Sequence, residues 1–106
     1  MDKIMEKVRE LNEILVDSDV YQNYFYAKEK LSGEAKQLVV EYKSLRNRYL
    51  REGMDFEKEK ILSSVYSKLM LNEASRVFIQ NELDLTSLIK QIYIKLAENI
   101  ELEIFD

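Results

Sequence analysis

An all-α fold, an antiparallel helical bundle of about five helices with a long C-terminal helix, is what this sequence predicts, and three observations carry it. The chain has no proline and only two glycines, Gly33 and Gly53, whereas the many turns of a β-rich fold draw on those residues. Its apolar residues recur at steps of three and four, the spacing of a buried helical stripe. Leu, Lys, Glu and Ala outweigh any alternating β-branched pattern, which favours helix over strand.

The first helix is expected over residues 2–16. Ile4, Val8, Leu11 and Leu15 form its stripe, with Met5 and Ile14 alongside. It ends at "DSD", where Ser18 suits the N-cap of a second helix because its hydroxyl can accept from a free backbone N–H. That helix is expected from Asp19 to Leu31, with Val20, Tyr24, Ala27 and Leu31 as its stripe. "SGEA" interrupts the pattern. Ser32 can cap a third helix, and Glu34 complements the positive end of its dipole. The third helix is expected to reach Arg51 and carries Ala35, Leu38, Tyr42, Leu45 and Tyr49 as a heptad-like seam. Gly53 suits a left-handed position after it.

Asp55 is the expected cap of a fourth helix, with Ile61, Leu62, Val65, Leu69 and Phe56 as its apolar residues. Asn72 breaks or caps next. A fifth helix is then expected from Glu73 to Leu102, about 45 Å long at 1.5 Å per residue. Its stripe is Phe78, Glu82, Leu85, Ile89, Ile92, Leu96 and Ile100. A helix of that length in so small a domain outruns its neighbours. Pairing with a second chain, a dimer first of all, is the simple remedy.

The 106 residues are enough for one domain spanning 1–106, with no internal repeat and no linker. Charged residues make up 34% and hydrophobic residues 46%, the composition of a soluble chain able to fold. The net charge of −4 disfavours a general nucleic-acid binder, which carries a basic excess. Cysteine and histidine are both absent. That removes disulfides, thiolate nucleophiles, zinc–sulfur sites and the Glu-x-x-His pairs of di-iron bundles. No glycine-rich phosphate loop is present, and a serine nucleophile lacks its usual base. An enzyme is therefore not expected, and neither is a cofactor. No apolar run is long enough to span a membrane. "MDKIMEKVRE" is too charged for a signal peptide, so the cytoplasm is the expected location.

Glu82 is the one charge on the fifth helix's stripe. A buried carboxylate without a partner costs several kcal/mol or takes up a proton. Lys43 lies beside the third helix's seam, with Val39, Arg46 and Leu50, and is the cation best placed to meet it. The hydroxyls of Tyr24, Tyr42 and Tyr49 are alternatives, and so is simple extension to water. "KSLRNRYLR" concentrates Lys43, Arg46, Arg48 and Arg51, interleaved with Tyr42 and Tyr49. That pattern suits an RNA-contacting patch. It equally suits cations stabilising a helix C-terminus on a solvated face, and the bland alternative is the stronger. Tyr21, Phe25 and Tyr26 lie partly off the second helix's stripe and form a candidate interaction surface.

Taken in order, "LNEILVDSDVYQNYFYAKEKL", "EAKQLVVEYKSLRNRY" and "FIQNELDLTSLIKQI" resemble the YlbF/YmcA family of small helical bacterial proteins over nearly the whole length. Phe78, Glu82 and Leu85 fit the family's last segment, and Asn81 stands where an alanine is usual. The resemblance implies an all-α fold with a long C-terminal helix, often dimeric or higher, and a non-enzymatic regulator. It implies a hetero-oligomer with family relatives that modulates RNA processing by RNase Y and thereby competence, sporulation or biofilm development. The family's iron–sulfur clusters are held by cysteines, so no cluster carries over here. The chain also stops soon after the long helix, without the extension of some members. Direct RNA binding through the third helix's basic patch is the alternative function.

Overall fold

The computed structural model of the chain describes residues 2–100. Among them are five helices and no strand: α1 Lys3–Asp17, α2 Asp19–Glu29, α3 Gly33–Glu52, α4 Phe56–Leu71 and α5 Glu73–Ala97. The all-α class and the long last helix stand as expected.

Local chemistry sets most boundaries. Asp2, Ser18, Asp55 and Asn72 each accept a hydrogen bond from a free backbone N–H in the first turn of the helix they precede. Ser18 works in both directions. Its Oγ accepts from the Tyr21 N–H at 3.2 Å and donates to the Leu15 carbonyl at 2.6 Å. One residue thus closes α1 and opens α2 with no loop between them. Ser32 occupies the N-cap position of α3, but its side chain makes no capping bond. The entry is made by backbone instead, with Gly33 at φ +56°, a conformation that costs a residue with a Cβ about 1–2 kcal/mol. Gly53 ends α3 at φ 96° and ψ 137°. That is a positive-φ conformation open in practice to glycine, and not the left-handed helical conformation expected.

Two boundaries fall short of the sequence expectation. Helix α2 stops at Glu29, and Leu31 packs against the core from outside the helix. Helix α5 ends at Ala97, where Asn99 takes φ 66°, a turn that asparagine tolerates. The helix is therefore about 37 Å long, shorter than the 45 Å that an end at Leu102 implied. Residue 102 itself lies outside the described residues.

The core gathers around the first half of α5. Ala27 of α2, Val39 of α3, Leu69 of α4, and Phe78 and Ile79 of α5 form one buried cluster. Tyr24, Leu38, Tyr42 and Met70 pack on it. Leu69 is 0% exposed. Helix α3 divides its faces. Val39 joins the cluster with Phe78, while Tyr42 reaches Tyr66 of α4 with ring centroids 5.3 Å apart. Tyr49 is also buried.

Several expected core positions are not covered. Phe56 is 76% exposed and Ile61 is exposed too. The buried side of α4 is Leu62, Val65 and Leu69, and Ile61 sits one step round the helix from that line. No residue of α1 is buried. Its amphipathic pattern is real, but α1 packs on α2 alone.

The α4–α5 corner is tied by side chains. Ser75, wholly buried, donates to the carbonyl of Leu69 at 2.5 Å and lies 3.1 Å from that of Asn72. Arg76 donates to the Met70 carbonyl at 3.3 Å. Late carbonyls of α4, which have no partner within their own helix, are thus satisfied by the first turn of α5. Replacing Ser75 with alanine strands a buried carbonyl and should lower stability by about 1–3 kcal/mol in urea unfolding. Ser18→Ala should cost about 1 kcal/mol in the same measurement, with Ser18→Asn recovering most of it.

Candidate functional site

Lys43 and Glu82 face each other across the α3–α5 contact. Lys43 Nζ lies 2.5 Å from Glu82 Oε2, with the two side chains 33% and 24% exposed. Lys43 follows Tyr42 by one position. A helix turns about 100° per residue, so Tyr42 is directed at α4 and Lys43 at α5. Glu82 stands one turn after Phe78 on the buried line of α5. The ammonium also lies 5.4 Å from the centre of the Phe78 ring, whose face attracts a cation. The pair is half wet. Its carboxylate has a cation beside it and solvent within reach, which meets the two demands on a charge at a core edge.

A run of aromatic rings leads from this pair to the surface. Phe78 meets Tyr24 at 5.6 Å, Tyr24 meets Tyr21 at 6.4 Å, and Tyr21 stacks on Phe25 at 6.4 Å and 25°. Phe25 and Tyr26 are exposed. Tyr21 and Phe25 share a face of α2, being four residues apart, and Tyr26 points a further 100° around the helix.

The basic stretch of α3 does not form one face. Arg46 and Arg48 are two residues apart and so project about 160° apart around the helix. The Arg46 guanidinium lies 5.8 Å from the Tyr42 ring and that of Arg48 5.2 Å from the Tyr49 ring. Arg51, three residues on, shares the side of Arg48, and Lys43 is drawn away to Glu82.

Lys58 was not singled out by the sequence. Its ammonium donates to the Gly53 carbonyl at 3.0 Å, lies 3.6 Å from Glu52 and sits 5.7 Å from the Tyr49 ring. It closes the α3–α4 loop. Its one sequence signal is its place three residues after the capping Asp55, in the first turn where cations are unusual.

Among the described residues no enclosed cleft accompanies these groups. The crevice between α3 and α4, lined by Tyr42, Met54, Leu62, Ser63 and Tyr66, is shallow and open. Among the described residues no cluster of three or more His, Cys, Asp or Glu side chains gathers to hold a metal, and no helix is long and apolar enough to cross a membrane. A lone carboxylate held by an ammonium is not an acid–base pair, which needs two carboxyls facing one another.

Residues 4–101 match the family described as "Control of competence regulator ComK, YlbF/YmcA". The chain belongs to the YlbF/YmcA family. The match takes in all of α2 to α5 and α1 from Ile4 onward, so the family assignment rests on the whole helical array. The name of the YlbF/YmcA family is that of a regulator. Searches of the curated proteins and of the solved structures find no match.

The ion pair yields a direct test. Glu82→Gln should destabilise the fold by about 1 kcal/mol, since the half-exposed ammonium loses its counter-charge. The apolar double substitution Lys43→Met with Glu82→Leu should return to within about 1 kcal/mol of the parent. Urea melts of the two singles and the double give the coupling energy.

Proposed function

We propose that this chain is a non-enzymatic regulatory subunit that acts by docking onto other proteins in the cytoplasm. In this proposal it modulates RNA processing by RNase Y, alone or beside family relatives, and through it competence, sporulation or biofilm development. The observation that carries the docking part is the distribution of apolar surface. Ile4, Val8 and Ile14 of α1 and Ile89, Tyr93, Ile94 and Leu96 of α5 are exposed, while among the described residues no cleft assembles groups for catalysis. Large contiguous apolar surface on a small protein marks a place where another molecule sits. The regulatory part rests on membership of the YlbF/YmcA family, and the RNase Y part on the resemblance of the three sequence segments.

Direct RNA binding ranks below this. The arginines of α3 splay around the helix and two of them lie over tyrosine rings, so they offer no continuous basic track along which a backbone could run.

Deletion of the gene in its native bacterium should shift the 5′ and 3′ ends of a subset of transcripts. The same subset should shift when RNase Y is depleted. Transcript-end mapping in the two strains checks this, and unrelated sets of ends would refute the RNA-processing role. With the purified chain, no salt-dependent retention of mixed-sequence RNA is expected in a filter-binding titration.

A further inference from the structure

Helices α2 to α5 each place a side chain in the one buried cluster: Ala27, Val39, Leu69, and Phe78 with Ile79. None of them can leave without opening it. Helix α1 differs. It has no buried residue, adds nothing to that cluster and packs on α2 alone. Leu11 and Leu15 are half-buried, while Ile4, Val8 and Ile14 are exposed. Its ion pair, Lys7 with Glu10 at 3.2 Å, lies within the helix.

What fixes α1 is its last turn. One residue, Ser18 at φ −70° and ψ 154°, separates it from α2, so the angle between the two helices rests on a single extended backbone position. The last carbonyls of a helix have no partner within it, and here two of them are met from beyond the bend. Ser18 donates to the Leu15 carbonyl from its backbone N–H at 3.1 Å and from Oγ at 2.6 Å. Gln22, in the first turn of α2, donates from Nε2 to the Val16 carbonyl at 2.9 Å. Among the described residues that is the one hydrogen bond running directly between α1 and α2. We propose that α1 is a hinged arm. It leaves α2 by turning about Ser18, with the Gln22 side chain as its clasp, while α2 to α5 stay folded. Segments with few buried apolar contacts open at a fraction of the cost of global unfolding, and α1 alone can open without exposing the cluster. Such an arm resets its direction while the core is left intact. The inference stands apart from the regulatory role, since it is read on purified protein and the transcript ends are read in cells.

A detached helix of 15 residues is marginal in water, so opening of the arm shows in its backbone amides. Native-state hydrogen exchange of the full chain, followed residue by residue, is the test. The amides from Val8 to Leu15 should share one protection, at least about a hundredfold below that of the amides around Phe78. Two mild variants then separate the arm from the core. Ile79→Val trims a side chain of the cluster. It should speed exchange around Phe78 by about two- to tenfold and leave the α1 amides at their wild-type rates. Gln22→Ala removes the clasp and should speed the α1 amides by about two- to tenfold. Protection in α1 equal to that around Phe78 overturns the proposal. So does an Ile79→Val protein in which α1 and α5 accelerate together, or a Gln22→Ala protein whose α1 amides keep their wild-type rates. The wild-type comparison decides the matter by itself, whatever either variant does to folding.

Discussion

Helices α2, α3 and α4 all pack against α5, whose buried residues lie between Ser75 and Leu85. Three neighbours around one helix leave it little polar freedom. Phe78, Ile79 and Leu85 are buried there, and even its serine is wholly enclosed and hydrogen-bonded. The other helices take their positions from this rod. Ala27 lets α2 approach closely, and Ala74 and Val77 line the crevice beside it. Val39 brings in α3, and Leu69 fills the centre from α4. A cavity made at Leu69 would therefore be felt by all four helices, with losses of the order of 2–5 kcal/mol for removal of a buried leucine side chain.

Glu82 acquires its meaning from that crowding. It lies between buried Phe78 and Leu85. A leucine there would pack equally well against any of the side-chain methylenes that α3 presents. A carboxylate accepts one neighbour, the ammonium of Lys43, and so ties the two helices in one rotational setting. Specificity of this kind is the best-attested use of a polar group at an otherwise apolar contact. The Phe78 ring under the same ammonium links the pair to Tyr24, Tyr21 and Phe25, so the face of α2 and the α3–α5 contact share one set of packed side chains.

What could be read in the sequence was what local chemistry decides. Ser18, Asp55 and Asn72 cap because their side chains reach N–H groups three residues away, and nothing distant competes. The steps of three and four located Ala27, Tyr49, Leu69 and Phe78 on inward faces. Cover by another element was not legible. The pattern of α1 states that a face needs a partner and is silent on whether that partner lies in the same chain. Phe56 and Ile61 have the right chemistry for a core and the wrong azimuth. Asn99 serves equally well inside a helix or as its stop, so the end of α5 could not be placed. Ser75 and Lys58 act on carbonyls five or six residues behind them, across a corner and a loop whose geometry no spacing rule reports.

The principal partner of α2 is α5, the last of the five helices to leave the ribosome. Until α5 is made, Tyr24 and Ala27 lack Phe78 and Ile79 of the cluster they pack in, and α1 has no buried residue to offer. A nascent chain thus carries its aromatic-rich α2 without its main partner until α5 follows. The α3–α4 hairpin can form earlier, since its contacts are near neighbours in the chain. Helix assembly is then ordered from the α3–α4 hairpin outward, with α2 finding its place once α5 follows.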